Sequence, residues 1–571
     1  MRRRWQALLR ARWGWVWVLA GLSLLNVVAG RYPLRADLTG ERRFTLSGPT
    51  RGLIGGLPDR VEVTVLLDGP MPPGFRKLAQ SAEDVLGGMR SFAPDRLVFG
   101  FARPGADLSD TMRAYVYDSL QQLGIHPTNV KAQSRRGEST EETLVFPGAV
   151  VRYRDRTLGV DFLQGQEMSG LSALNNAEAL LEYRIADAVR RITEDSLRLV
   201  GYLTGNGEPM DLRVYDLIQN TLRPRYAFRL LPLDSVPFIP SAFSALCIVK
   251  PTERFTGAQK LKIDQYLMRG GRVLWMVDNL YASLDSLQRS EGSFIAFDTG
   301  LDLDDMLFRY GVRINRDLVQ DLQNDGIPSV IGSVGDKPQI QVLPWPYFPL
   351  LRHTGGHPIA RNLDYVVAQF PQSVDTVEAP GIRKTVLLST SDNARALQTP
   401  ARVEWRSIRR EEELADFRRP GIPVAVLLEG RFRSAFANRV TAAQADTMAR
   451  LLGRPFLPAA TAAGGMVVVA DGDLALNAVS QSDGPLQMGT NAYTRRTYAN
   501  REFLLNSLEH LTDASGILET RGKDYTLRLL DTERVERERT FWQVAVLAGP
   551  MGLVSLVIAA FQAWRRRRYA A

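Results

Sequence analysis

An α/β body between two membrane-spanning helices is the fold class this sequence predicts, and three observations predict it. Trp13 to Gly30 is a nearly charge-free apolar run behind Arg2, Arg3, Arg4, Arg10 and Arg12. Phe541 to Trp564 is a second such run, closed by Arg565, Arg566, Arg567 and Arg568. Between them, short apolar runs alternate with segments of helical spacing, the pattern of strands and covering helices.

A bilayer core of ~30 Å needs roughly 20 apolar residues in a helix, so both runs are long enough to span it. Arginines beside a span favour the cytoplasmic side. The expected layout is a cytoplasmic tip (1–12), a span (13–30), a long middle on the far side, a span (541–564) and a cytoplasmic tail (565–571). Val27-Val28-Ala29 also fits a cleavage pattern behind a basic n-region. An uncleaved anchor is the preferred reading, since the apolar stretch is long for a signal peptide and contains Asn26.

The formal charge is +9, from 71 basic and 62 acidic residues. The nine flanking arginines account for all of it. The basic balance is therefore a membrane-flank effect, and no nucleic-acid partner is implied. Cys247 is the single cysteine. It excludes an intrachain disulfide and a thiolate metal cluster, and its apolar neighbours make it an inert core thiol.

Taken in order, Arg31 to Pro58 is polar and turn-rich. Val61 to Leu67 reads as a strand, Phe75 to Phe92 as a helix, Arg96 to Phe101 as a strand and Leu108 to Leu123 as a helix. A hairpin follows, Leu144 to Val151 and Thr157 to Phe162, turning at Tyr153 to Arg156. The order β-α-β-α-β-β is that of a thioredoxin-like domain, here without the Cys-x-x-Cys of its redox chemistry. Asn175 to Thr193 is a helix bridging to a second domain, so the first occupies 31–194.

The second domain, 195–515, opens with strand Leu197 to Leu203. A helix near Tyr215 to Leu222 and strands Phe228 to Leu233 and Ala245 to Val249 follow. Helix Thr256 to Met268 and strand Arg272 to Val277 complete the alternation, which predicts a mostly parallel, doubly wound sheet covered on both faces. Further strand runs are Lys384 to Ser389, Pro423 to Leu428 and Met466 to Ala470, with a helix over Arg501 to Thr512. The Pro-, Gly- and aromatic-rich stretch 302–377, with Pro344-Trp345-Pro346-Tyr347-Phe348-Pro349, reads as an irregular insertion with exposed loops. Residues 516–540 form a juxtamembrane segment, charged and helical over Asp531 to Thr540.

Chemistry is conspicuous by the motifs that are missing. No Gly-x4-Gly-Lys-Ser/Thr cradle, no His-Glu-x-x-His and no Gly-x-Ser-x-Gly elbow occurs. Of His126, His353, His357 and His510, only His353 and His357 are near in sequence, and the glycines between them argue against a helical metal pair. That pair is expected as surface loop histidines, and no metal site is expected. The most pointed motif is Gly205-Asn206-Gly207-Glu208, after a strand and before a helix, where doubly wound sheets bind ligands. It reads either as a ligand or partner contact or as a tight turn that caps the next helix. Asp278 and Asp471, the latter within Asp471-Gly472-Asp473, also follow strands. They read as members of the same edge or as caps.

These pieces together resemble the auxiliary components of bacterial ABC-type transport systems, of the gliding-motility-associated GldG type. The residues that carry the resemblance begin with Arg35-Ala36-Asp37-Leu38-Thr39 and Phe44-Thr45-Leu46-Ser47. Gly205 to Glu208, Ile263-Asp264-Gln265-Tyr266, Gly270-Gly271 and Asp278 continue it. Asn500, Phe503 and Asn506, then Leu529-Leu530-Asp531 and the Arg-rich tail, complete it. Such proteins often carry histidine where this chain has Asn206. The resemblance implies an amidotransferase-like α/β middle domain without catalytic residues, and a non-enzymatic subunit needing no cofactor. It further implies an ABC ATP-binding subunit and a polytopic permease as partners. The ectodomain would be periplasmic, anchored in the inner membrane, and would bind a periplasmic ligand or envelope protein. Two other readings stand beside it. One is a carbohydrate-active or hydrolytic envelope enzyme using Glu208 with Asp278. The other is a structural anchor to the cell wall through the Pro344 to Pro349 segment.

Overall fold

A computed structural model describes residues 45–133, 140–163, 171–290, 292–334, 337–405, 411–513, 515–522 and 532–569, with 16, 19–21, 23, 24 and 26. The expected span 13–30 and the motif at Arg35 to Phe44 therefore lie mostly or wholly outside the described residues. Two compact units result, Met1–Lys523 and Asp524–Ala571.

The first sheet follows the sequence closely. Strand β1 (Val61–Val65), helix α1 (Pro73–Arg90), strand β2 (Leu97–Phe101) and helix α2 (Asp110–Gln122) precede the hairpin of β3 (Gly148–Tyr153) and β4 (Arg156–Asp161). The order is β2-β1-β3-β4. β1 runs parallel to β2 and antiparallel to β3, which is antiparallel to β4. The hairpin turns at Arg154, whose φ is +51°. One part was not foreseen: Thr140–Val145 does not lead into β3 but pairs with Thr128–Gln133 as a separate hairpin. Helix α3 (Leu171–Thr193) starts four residues before the expected Asn175. It clasps α1 through Glu178, which accepts from Ser81 Oγ at 3.0 Å and pairs with Lys77 at 2.8 Å.

The second sheet starts with β5 (Leu199–Thr204), β6 (Ala227–Pro232), β7 (Ala245–Val249), helix α4 (Gly257–Met268) and β8 (Arg272–Met276). Helix α5 (Asp304–Tyr310), strands β9 (Asn324–Val334), β10 (Lys337–His353), β11 (Ile382–Ser389), β12 (Pro423–Gly430) and β13 (Gly464–Val469), and helix α6 (Asn500–Thr512) follow. The strand order is β9-β10-β11-β12-β13-β8-β7-β5-β6, with Val366–Val367 beside β10. The stretch from β6 to β13 is parallel. The stretch from β13 out to β9 is antiparallel. The mostly parallel sheet expected from the alternation is thus a half-parallel one. Only β9 and β10 are joined by a link short enough to require an antiparallel pair. The links after β10, β11 and β12 are long, so the antiparallel pairing there was not legible from connection length.

Continuous apolar runs make sense on this sheet because both faces are covered. Val273 and Trp275 pack with Ile263 and Leu267 of α4. The alternate residues Leu274 and Met276 pack with Phe503 and Leu508 of α6. The expected helix at 215–222 is instead a 3-10 turn, Leu212–Val214, and a π-helical turn, Asp216–Leu222. Buried Asp216, the first residue of the π-helical turn, accepts from Arg501, Asn220 Nδ2 and the Met488 amide.

The reading of 302–377 as exposed loops is overturned. β9 and β10 form a long bulged hairpin. Trp345 and Tyr347 are each only 2 % exposed and Phe348 is buried. Pro344 and Pro349 pair with Gly326 and Asn324 of β9. On the other side of β10 the Phe370 and Ala368 amides donate to the Tyr347 and Pro349 carbonyls, contacts that need no N–H from a proline. The Pro344 to Pro349 segment is a buried aromatic core, not a sticky loop.

In the second unit, helix α7 (Thr532–Tyr569) includes a candidate membrane span of 31 residues, Arg537–Arg567, with charged residues at both ends. At 1.5 Å per residue it is ~46 Å long, more than a bilayer core requires. It is the one helix among the described residues long and apolar enough to cross a membrane.

Candidate functional site

The turn after β5 is built by two glycines in the left-handed region, Gly205 at φ +119° and Gly207 at +77°. A Cβ on Gly207 would fall 2.1 Å from Thr252 Oγ1, so only glycine fits there. The Asn206 carbonyl accepts from the Thr252 and Glu253 amides at 2.9 Å each. Its Nδ2 donates to Gln259 Oε1 at 3.1 Å and to the Arg254 carbonyl at 3.3 Å. Gln259 is also the third residue of the Thr256 capping box that opens α4. The motif is thereby stapled to the start of α4.

Glu208 folds back on the turn, its Oε2 accepting from the Asn206 amide at 2.8 Å. Burial raises its carboxyl above the ordinary range. Asn206 and Glu208 are 1 % and 7 % exposed. Asn206 Oδ1 and Glu208 Oε1 have no hydrogen-bond partner among the described residues.

Three further strand ends meet next to this turn's sheet edge. Lys250 follows β7, Asp278 follows β8, and Asp471 and Asp473 follow β13. Lys250 Nζ lies 3.3 Å from Asp278 Oδ2 and pairs directly with Asp473. Asp278 Oδ1 accepts from the Gly472 amide at 2.7 Å. Asp471 accepts from the amides of Gln369, Asp473 and Leu474. A Cβ on Gly472 would meet Lys250 Cβ at 2.8 Å, which shows how tightly the strands close here. Burial raises the Asp278 carboxyl and Lys250 opposes it. Burial, then Asp278 and Asp473, raises Asp471. Burial disfavours the Lys250 ammonium, but Asp473 and Asp278 outweigh it and hold it above the usual lysine range.

Asp278 and Asp471 therefore come together as the sequence reading allowed. Gly205 to Glu208 is not joined to them: no hydrogen bond or ion pair among the described residues links Glu208 to either aspartate. Cys247, in the middle of β7, is 1 % exposed, and burial pushes its thiol up to about 12.

Two clusters escaped the sequence reading. On α3, Arg190 reaches Asp187 and Glu509 at 2.6 Å each, and Tyr183 donates to Glu509 at 2.7 Å. Burial pushes the Glu509 carboxyl up to about 7. A cavity of about 500 Å³ beside it is lined by Arg156, Arg191, Arg198 and Arg225. The only prior signal was the charge density of Glu182 to Arg191 on an otherwise apolar helix. The second cluster corrects the histidine reading. His357 has no link to His353; its ring meets that of His510, 4.9 Å away between centroids.

Residues 198–507 match the family model described as "ABC-type uncharacterized transport system". The chain belongs to this family of ABC-type transport auxiliary components. The family segment runs from the start of β5 into α6 and contains the turn, the carboxylate cluster and both helical covers. Residues 40–152 match a model for a domain of unknown function, which takes in β1 to β3. No curated protein matches. Among solved structures, the chain is similar to the mmIFT52 N-terminal domain at 13 % identity, over 55 % of this chain and 97 % of that one, with a TM-score of 0.29. It is also similar to the exo-beta-1,4-mannosidase Op5Man5 from Opitutaceae bacterium strain TAV5 at 12 % identity. That match covers 69 % of this chain and 45 % of the other, with a TM-score of 0.17.

Proposed function

We propose that this family member is a non-enzymatic, membrane-anchored subunit that works with a separate ABC ATP-binding protein and a polytopic permease. The observation that carries the reading is the family match on a chain that also presents an unburied apolar helix ending in four arginines. Two single spans are too few to enclose a transport path, so the permease must come from another chain. Gly549, Gly552 and Ser555 on α7 are small residues suited to close packing against a permease helix.

On this reading the ectodomain is periplasmic and both tips are cytoplasmic at the inner membrane. The sheet order β2-β1-β3-β4 followed by α3 supports a thioredoxin-like assignment for the first domain. The parallel half of the second sheet, with helices on both faces, supports an amidotransferase-like one. Gly205, Asn206, Gly207 and Glu208 are the proposed contact for a periplasmic ligand or envelope protein, since two buried oxygens there lack partners. Asp278 and Asp471 act as structural neighbours that fix the strand ends. A gliding-motility role of the GldG type rests on the motif resemblance alone.

The test is affinity purification of the native complex in mild detergent from the source cell. An ATP-binding cassette protein and a polytopic permease should co-elute in fixed ratio. Recovery of the chain without either would refute the proposal.

A further inference from the structure

We propose that His357, Glu429 and His510 form a binding site for one divalent cation of the zinc class. The three residues come from a loop, from β12 and from α6, and lie 72 and 81 positions apart in sequence. Their ligand atoms nevertheless all fall within 4.8 Å of one another. A tetrahedral ion with ~2.0–2.2 Å bonds holds its ligand atoms roughly 3.3–3.5 Å apart, so small side-chain adjustments suffice. His510 Nε2 and Glu429 Oε1 are already 3.0 Å apart.

The supporting contacts resemble those of a prepared metal site more than those of an incidental cluster. The Ile359 amide donates to His357 Nδ1 at 3.3 Å, so this nitrogen carries a lone pair and that long bond is easily exchanged for a metal. Arg383, the register partner of Glu429 across the β11–β12 ladder, donates to Glu429 Oε2 at 2.5 Å. It orients the carboxylate, and the ion would take the place of the hydrogen bond that Oε1 shares with His510 Nε2. The His357 loop is fixed from α6, where Asn506 Nδ2 donates to the Ile359 carbonyl at 2.9 Å. Glu429 and His510 also line a cavity of about 290 Å³, which gives these two donors a route to solvent. Two imidazoles and one carboxylate with an open position is a donor set that Zn²⁺ accepts.

The experiment uses the full chain in mild detergent, stripped with chelator and titrated with Zn²⁺ against a chromophoric competitor. One equivalent should bind, and Zn²⁺ should raise the melting temperature. His357→Asn and Glu429→Gln should each weaken binding by tenfold or more, while His353→Asn, on an exposed neighbouring histidine, should bind like the parent. Co²⁺ should give ligand-field absorption in the parent and lose it in Glu429→Gln. Circular dichroism of the metal-free variants checks that they fold. If either fails to fold, His510→Asn takes its place in the same comparison. Absence of stoichiometric Zn²⁺ on the parent, or equal affinity in the folded variants, would overturn the proposal.

Discussion

Lys250 is the cation at the centre of the carboxylates that end β8 and β13. It faces Asp278 and Asp473 directly, with Asp471 close enough to act on it. Removing one partner of a buried ionic group is far costlier than the group's net contribution, because the remaining charges lose their compensation. Lys250→Met should therefore destabilise the ectodomain by ~3–5 kcal/mol at pH 8. The sign of its pH dependence follows from linkage. Asp278 and Asp471 already titrate above their unfolded value, and loss of the ammonium moves them higher. The folded state then binds more protons than the unfolded one, so stability rises as pH falls towards those raised values. Thermal melts of Lys250→Met and parent at pH 8 and pH 5.5 should show the larger deficit at pH 8. A deficit that is equal or grows in acid would contradict this account. The positions of Asp278 and Asp471 after apolar strands were readable from sequence. Their common partner was not, because Lys250 belongs to no recognisable motif and its left-handed φ of +43° is invisible without the fold. His510 and Asn506 were hidden similarly: each acts on a loop about 150 positions away.

At the level of elements, legibility tracked the physical origin of each signal. Strands β5, β7, β8 and β13 are uninterrupted apolar runs because both their faces are buried, and their bounds agree with the expectation to within about two residues. Helix α4 announces itself through Thr256 and Gln259. The β9–β10 hairpin gave the wrong impression because its prolines sit in a paired strand whose outer contacts there use carbonyls, such as that of Pro349, and not proline N–H groups, a circumstance that local composition cannot express. Its core is aromatic. Trp345 lies 5.1 Å from Tyr347, 5.3 Å from Phe348 and 5.5 Å from Phe370 between ring centroids. Trp345→Ala should cost ~3–5 kcal/mol, as for a large aromatic removed from a closed core. Chemical denaturation of the detergent-solubilised chain should show the loss as a lower midpoint. A change under about 0.5 kcal/mol would mean the segment behaves as a surface loop after all.

For the molecule as a whole, the distribution of charge is the strongest organising signal. The nine arginines outside the apolar runs carry the entire net charge, leaving the remainder balanced. If the positive-inside rule governs both ends, the tail beyond Arg568 lies in the cytoplasm while the surface of the large unit faces the periplasm. The chain provides a clean way to test this. Its single thiol, Cys247, is buried in β7 and pushed up to about 12 by that burial, so a maleimide will not react with it in the folded protein. No cysteine needs removing before new ones are placed. Leu451→Cys puts a thiol on an exposed position of the Ala442–Leu452 helix, and Ala571→Cys puts one at the tail. In intact spheroplasts a membrane-impermeant maleimide should label Leu451→Cys and spare Ala571→Cys. After permeabilisation both should react, and the parent should remain dark throughout. Labelling of the tail in intact spheroplasts, with Leu451→Cys protected, would invert the topology and remove the ectodomain from any role at the periplasmic side of a transporter.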